Sequence, residues 1–129
     1  GNTRSCGCLR KFPKGEATFK YWFRVYIQAA KKRKMSFELS AEDFRDLISQ
    51  KCHYCGENPK MRQPGHLNGG FLMNGIDRKD SGKGYTLENC VPCCTLCNHA
   101  KWDLSYEEFI KHIKKIIERT NILTLTETV

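Results

Sequence analysis

Cysteines at metal-ligand spacing are the residues of this sequence that most directly indicate chemistry. Cys52 and Cys55 form a Cys-x-x-Cys pair, and Gly56 follows directly. A glycine after such a pair can adopt the left-handed conformation that lets backbone amides approach the sulfurs. Two thiolates are half of a tetrahedral zinc site, so the other half must come from a second pair.

The second pair can be chosen in two ways from one cluster: Cys90, Cys93, Cys94 and Cys97. We favour Cys94 with Cys97, because Asn98 comes next and can adopt a positive φ or cap a helix. Cys90 falls on an expected strand, and Pro92 stiffens the turn that follows it. Cys90 and Cys93 are then expected to be buried core thiols. We predict one zinc ion with four ligands: Cys52, Cys55, Cys94 and Cys97.

A zinc ion with four thiolate ligands has no open coordination position, so we expect a structural role and a second metal for any catalysis. Two disulfides are the rival interpretation. No apolar run marks the chain for export or for a membrane, which favours metal binding and an intracellular protein, cytoplasmic in a bacterial host or nucleoid-associated. Cys6 and Cys8 are either reduced thiols or half of a second zinc site whose partners lie upstream.

The charge of the chain indicates a polyanionic partner. Lys and Arg number 22 against 14 Asp and Glu, for a formal net charge of +8. A zinc ion with four thiolates would lower this to about +6. We expect contacts with double-stranded DNA from these basic residues: Lys20, Arg24, Lys31, Lys32, Arg33, Lys34 and Lys101.

The periodicity of apolar residues predicts helices over residues 17–34, 40–50 and 105–120, with a short helix beginning near Cys97. Ser105 and Glu108 form a capping box for the last of these. Residues 71–77 and 85–91 are strand-like and flank a loop with two glycines, so an antiparallel hairpin is expected. Trp22 and Tyr26 lie on the apolar face of the first helix and are expected in the core.

The order of motifs over residues 51–117 resembles the HNH endonucleases, above all their phage-type and homing-like members. A Cys-x-x-Cys pair is followed by Asp77 at a strand end, a loop, Asn89, and a second pair with Asn98 directly after it. The resemblance implies a ββα-metal core with Asp77 and Asn98 as ligands of a single divalent cation. It also implies that Asn89 holds the hairpin loop by hydrogen bonds. Oxygen ligands suit Mg²⁺ or Mn²⁺, which would stabilise charge on a scissile phosphate.

Two positions depart from the family pattern, and at one of them the family's final histidine is Asn98 here. Arg78 stands where the family usually has the histidine that deprotonates water, and arginine stays protonated. Three replacements are open: Asp80, ranked first, His99, or a metal-bound hydroxide without a protein base. Arg78 would then contact the phosphate and stabilise the transition state. Its alternative role is a salt bridge with Asp77 on the hairpin.

The expected fold class is α+β, a small zinc-stapled ββα-metal HNH core with flanking α-helices. We divide the chain into an irregular tail over residues 1–16, a basic helical region over 17–50, the nuclease domain over 51–120 and a tail over 121–129. The expected function is metal-dependent hydrolysis of phosphodiester bonds in DNA, associated with a phage or mobile element.

Two other functions compete with the nuclease. In one, loss of the histidine base leaves a catalytically weakened, zinc-stapled DNA-binding module. In the other, the chain is a protein-interaction zinc domain of the ring-finger kind, which is disfavoured because that class needs two complete metal sites. His53, His66 and His112 are not expected to be ligands.

Overall fold

The computed structural model of the protein describes residues 14–121. Cys6 and Cys8 lie outside this range, as do most residues of the two predicted terminal tails. Over the described residues the elements are, in order, α1 (Glu16–Lys32), α2 (Ala41–Ile48), β1 (Lys60–Arg62), β2 (Phe71–Met73), β3 (Gly75–Arg78), β4 (Cys90–Cys93), α3 (Thr95–Lys101) and α4 (Tyr106–Thr120).

Three of the four helices, α2, α3 and α4, begin where a side chain accepts a hydrogen bond from one of their first amides. At α2, the Ser40 hydroxyl accepts from the Asp43 amide while the Asp43 carboxylate accepts from the Ser40 amide. Ser105 and Glu108 make the same reciprocal pair at α4, as predicted. The short helix α3 begins at Thr95, two residues before the expected Cys97, because the sulfur of Cys94 caps it by accepting from the Cys97 amide.

The strands differ from the single long hairpin that the sequence predicts. Residues 71–77 are divided between two sheets, because β2 pairs with β1 whereas β3 pairs with β4, both antiparallel. The second strand also begins later than expected, at Cys90 instead of residue 85. Asn89 and the loop before it hold their own hydrogen bonds, which leaves only four residues of β4 for pairing. Asp77 faces Val91 in this register.

The core joins the N-terminal helices to the strands. Phe19 on α1 and Phe44 on α2 are buried, and their rings lie 5.9 Å apart. Phe71 on β2 completes the group, with its ring 5.4 Å from that of Phe19. Residues 17–50 and the strands therefore share one apolar core, in which Met73, Ile76 and Tyr85 are also buried.

Helix α1 also determines the position of β3. The Tyr26 hydroxyl accepts a hydrogen bond from the Ile76 amide at 3.1 Å, one residue before Asp77. As predicted, Tyr26 and Trp22 pack against the core. Between residues 14 and 121 no helix combines the length and apolar character needed to cross a membrane.

Candidate functional site

Four cysteines, two before the first strand and two after the last, lie close together. The sulfurs of Cys52, Cys55, Cys94 and Cys97 all lie within 4.8 Å of one another, and those of Cys55 and Cys94 are 3.6 Å apart. Tetrahedral zinc with sulfurs at about 2.3 Å requires sulfur–sulfur distances of about 3.8 Å. The cluster therefore fits a metal ion such as zinc, and it is the set that the sequence analysis favours.

The backbone around the first pair is shaped for metal binding. Gly56 has φ +78°, the left-handed conformation expected after the pair. Burial acts to raise the pKa of Cys52, but hydrogen bonds from the amides of Cys55, Cys94 and Tyr54 outweigh it and lower the pKa to about 6. The reason for the second pair differs from the predicted one: Asn98 lies inside α3, and Cys94 itself is the cap.

The remaining two described cysteines are core residues. Cys90 and Cys93 are buried on β4, in line with the prediction that they are not ligands. Burial raises the pKa of Cys90 to about 11 and raises that of Cys93 as well. Both side chains are therefore neutral thiols at physiological pH, and they pack as small apolar groups.

Asp77 is buried near the end of β3, and both of its carboxylate oxygens have partners. The hydroxyl of Tyr54 donates to Oδ2 at 2.7 Å, and the ammonium of Lys101 lies 3.4 Å from Oδ1. Tyr54 stands between two of the clustered cysteines, so the metal knuckle itself supports this carboxylate. Burial, with the hydrogen bond to Asp77, raises the pKa of Tyr54 far above its ordinary value, which keeps its hydroxyl a donor.

Lys101 differs from its expected place on a DNA-binding surface. Its side chain is 1% exposed, and besides Asp77 its ammonium contacts the carbonyl of Arg78 at 3.2 Å. Residue 101 falls on α3, whose inner side faces β3, so the long side chain ends at Asp77. The ion pair expected as the alternative for Arg78 is thus made by Lys101.

A cleft of about 410 Å³ lies over Asp77. We call it the Asp77 cleft, and its charged and amide lining groups are Arg33, Asp77, Arg78, Asn98, Lys101 and Asp103. Asp77 and Asn98, the two ligands that the resemblance implies, therefore line the same cleft. Asp103 was missed by the sequence analysis, and so was Trp102, which lines the cleft with 80% of its surface exposed. An aromatic and an acid directly after a basic helix end were the available signal.

Arg78 is fixed by its own loop. One guanidinium nitrogen donates to the carbonyls of Ser81 and Lys83 at 2.8 and 2.9 Å, and the group lies over the ring of Tyr85. These contacts use part of its donor capacity for loop structure. The guanidinium still lines the Asp77 cleft and contributes its charge there.

Asp80, ranked first as general base, binds its own loop. Its carboxylate accepts from the Gly82 amide at 2.9 Å, and it lines a separate depression with His53 and Tyr106. The geometry therefore does not bring Asp80 into the Asp77 cleft, because the tight turn after it needs its side chain. His99 is exposed on α3, next to Asn98.

Asn89 fastens the loop between β3 and β4. Its amide nitrogen donates to the carbonyls of Asp80 and Gly84, and its oxygen accepts from the Asp80 amide at 2.9 Å. These are bonds of the kind that the resemblance implies for the middle Asn. They hold in place the loop whose carbonyls bind Arg78 and which ends at β4.

The basic residues of α1 and the turn after it are exposed: Lys20, Arg24, Lys31, Lys32, Arg33 and Lys34. Arg33 connects this surface to the Asp77 cleft, because it lines the cleft and donates to the Tyr85 hydroxyl at 3.4 Å. The end of α1 is therefore next to the candidate site.

Comparisons with known proteins find sequence relatives and a similar solved structure. No family model matches the chain. It is 34% identical over 85 residues, 66% of its length, to an uncharacterized protein, R423, of Acanthamoeba polyphaga mimivirus, of which it covers 14%. It is 27% identical over 109 residues, 81% of its length, to the SPbeta prophage-derived putative HNH endonuclease YoqL of Bacillus subtilis, of which it covers 46%. The chain thus spans less than half the length of these relatives.

Among solved structures, the chain is similar to the rare-cutting HNH restriction endonuclease PacI, for which a mechanism of DNA perturbation is described. The TM-score is 0.57, with 21% identity over 78% of each chain. This likeness shows the fold. The expected α+β HNH fold with a four-cysteine cluster is therefore confirmed.

Proposed function

We propose that this chain, an HNH-type protein by its fold and by its sequence relationship to a prophage-derived relative, is a metal-dependent DNA endonuclease. The observation that carries the proposal is the Asp77 cleft, where a buried carboxylate and the Asn98 amide line one cavity beside a four-cysteine cluster. The prophage and viral sources of the relatives support a phage or mobile-element association.

Within this proposal, the four cysteines hold one structural zinc ion, whereas Asp77 and Asn98 bind Mg²⁺ or Mn²⁺. Oxygen ligands from one carboxylate and one amide leave most positions of such a cation to water and phosphate. A divalent cation bound there would neutralise a phosphodiester and stabilise the departing oxygen. The nuclease unit covers residues 51–120, and the basic region over 17–50 contributes DNA contacts.

The chain's own residues then have separate tasks. Tyr54 orients the Asp77 carboxylate, and Asn89 holds the loop that leads to it. Arg78 supplies a fixed positive charge at the cleft for the phosphate. With Asp80 in another depression, His99 is the remaining side-chain candidate for accepting a proton from water, beside hydrolysis without a protein base.

The test is an assay of supercoiled plasmid with the zinc-loaded protein and Mg²⁺ or Mn²⁺. We expect nicked or linear products with the cation present, and intact plasmid when the cation is left out and the protein keeps its zinc. A protein that retards DNA in a gel but leaves plasmid intact with either cation would contradict the nuclease. That outcome would favour a catalytically weakened DNA-binding module, which the arginine at position 78 makes the second candidate.

Changing Tyr54 to Phe should lower turnover while leaving DNA affinity unchanged. The variant loses one hydrogen bond to a charged oxygen, worth about 1.5–3 kcal/mol, which corresponds to roughly 10- to 100-fold in kcat. Steady-state cleavage of a labelled duplex separates kcat from KM. Tyr106→Phe is the matched control, because it removes a hydroxyl that bonds His53 and not Asp77. Equal kcat values for the two variants would refute a positioning role for Tyr54.

Changing Lys31 and Lys32 together to Ala should weaken DNA binding at moderate salt. Each phosphate contact that is lost should reduce the slope of log affinity against log salt by about one. Binding measured at several salt concentrations gives this slope. The control pair, Lys114 and Lys115 changed to Ala on α4, removes the same charge from another exposed surface. Identical losses in both pairs would mean that net charge alone matters.

A further inference from the structure

Asp77 has a resident counter-ion where a metal ligand would be expected to have none. Lys101 is 1% exposed and Asp77 is 7% exposed, and Nζ lies 3.4 Å from Oδ1. The same ammonium donates to the Arg78 carbonyl at 3.2 Å, which fixes it beside the carboxylate. The second oxygen, Oδ2, already accepts from Tyr54 at 2.7 Å.

The cleft therefore carries no surplus of negative charge for a cation. Three lining groups are positive, and two are negative, a sum of +1: Arg33, Arg78 and Lys101 against Asp77 and Asp103. Asn98 adds an oxygen but no charge. A divalent cation at Asp77 would bring two more positive charges close to a buried ammonium, where repulsion is poorly screened.

A DNA phosphate changes this balance. It brings negative charge and oxygen ligands to the place where the added cation needs both. The positive cleft attracts such a phosphate even before a divalent cation is present. The ion and the nucleic acid are thus each bound better when the other is there.

We propose that Lys101 couples loading of the catalytic cation to DNA binding, by acting as the counter-ion of Asp77 until a phosphate enters the cleft. The inference rests on the proposed function, since it takes Asp77 as a cation ligand. Because coupling is reciprocal, the factor by which DNA raises cation affinity equals the factor by which the cation raises DNA affinity. Lys101 is a positioning residue in this scheme, because it acts through Asp77.

The experiment measures Mn²⁺ binding to the zinc-loaded chain by titration calorimetry, with and without a phosphorothioate duplex that resists cleavage. For the wild-type chain we expect the duplex to tighten Mn²⁺ binding at least tenfold. For Lys101→Met we expect Mn²⁺ binding without DNA to be at least tenfold tighter than in the wild type, and the further gain from the duplex to be smaller than the gain in the wild type. Lys101→Arg keeps the charge and should keep the coupling.

Zinc content and the melting temperature check that each variant is folded. Should Lys101→Met fail to fold, the wild-type titrations still decide, because equal Mn²⁺ affinity with and without the duplex overturns the coupling. Unchanged coupling in folded Lys101→Met overturns the role of Lys101. In both cases, loss of Mn²⁺ binding in Asp77→Asn would still support the proposal that Asp77 is a cation ligand. Absence of Mn²⁺ binding in the wild type, even with DNA, would overturn the site and the inference together.

Discussion

Asp77→Asn should abolish cleavage of plasmid by the zinc-loaded protein, with a rate loss of roughly 10³-fold or more. The amide keeps the size of the side chain but removes the charge that a divalent cation needs, and such a cation contributes several kcal/mol to stabilising the transition state. The measurement is the initial rate of nicking at saturating Mn²⁺. Cleavage at the wild-type rate would exclude Asp77 from the chemistry.

The control for this variant concerns Lys101, whose buried charge would lose its counter-ion. Loss of one member of a buried ion pair costs about 3–5 kcal/mol of stability. The double variant Asp77→Asn, Lys101→Met removes both charges and should recover much of the lost melting temperature. A double variant that is stable, contains zinc and does not cleave would assign the loss of activity to the carboxylate and not to unfolding.

Cys55→Ser should release zinc and unfold the domain under native conditions. Structural zinc contributes apparent binding free energies of about 10–16 kcal/mol in zinc-finger peptides, so losing one of four thiolates removes a large share of the stability of a small core. Cys55 is exposed, and its substitution leaves no cavity that could explain the loss. Zinc content by elemental analysis and thermal melting followed by circular dichroism give the result.

Cys90→Ala is the matched control because it removes a buried thiol that lies outside the cluster. This variant should keep one zinc ion per chain and lose only about 0.5–3 kcal/mol, the usual range for a core substitution. An exposed cysteine would then matter more for stability than a buried one. The opposite order, with zinc retained in Cys55→Ser, would contradict a metal at the cluster.

The local signals of the sequence predicted the helices and the cysteine cluster well. Ser105 with Glu108 identifies the start of α4, because the capping box needs only residues three apart. Cys94 and Cys97 lie in the cluster, as the sequence analysis favoured, but the predicted cause was wrong, since a cysteine sulfur as a helix cap has no strong sequence signal.

Contacts between distant residues could not be predicted in the same way. Nothing near Lys101 in the chain indicates that its ammonium meets Asp77, because the pair depends on how α3 packs on β3. The division of residues 71–77 between two sheets was missed for a related reason: pairing partners of a short strand are chosen by tertiary packing. Asp80 was ranked by its distance along the chain, whereas the turn at Gly82 decides where its carboxylate points.

The hydrogen bond from the Ile76 amide to the Tyr26 hydroxyl has a practical consequence for anyone who shortens this protein. An excised fragment that starts at residue 51 would retain the four clustered cysteines and both proposed cation ligands. It would nevertheless lose the phenol that fixes the backbone next to Asp77, and the Phe19 ring that packs on Phe71. A shortened protein therefore has to include α1, and grafting the cysteine-flanked segment alone onto another scaffold should yield a metal-binding peptide without a formed cleft.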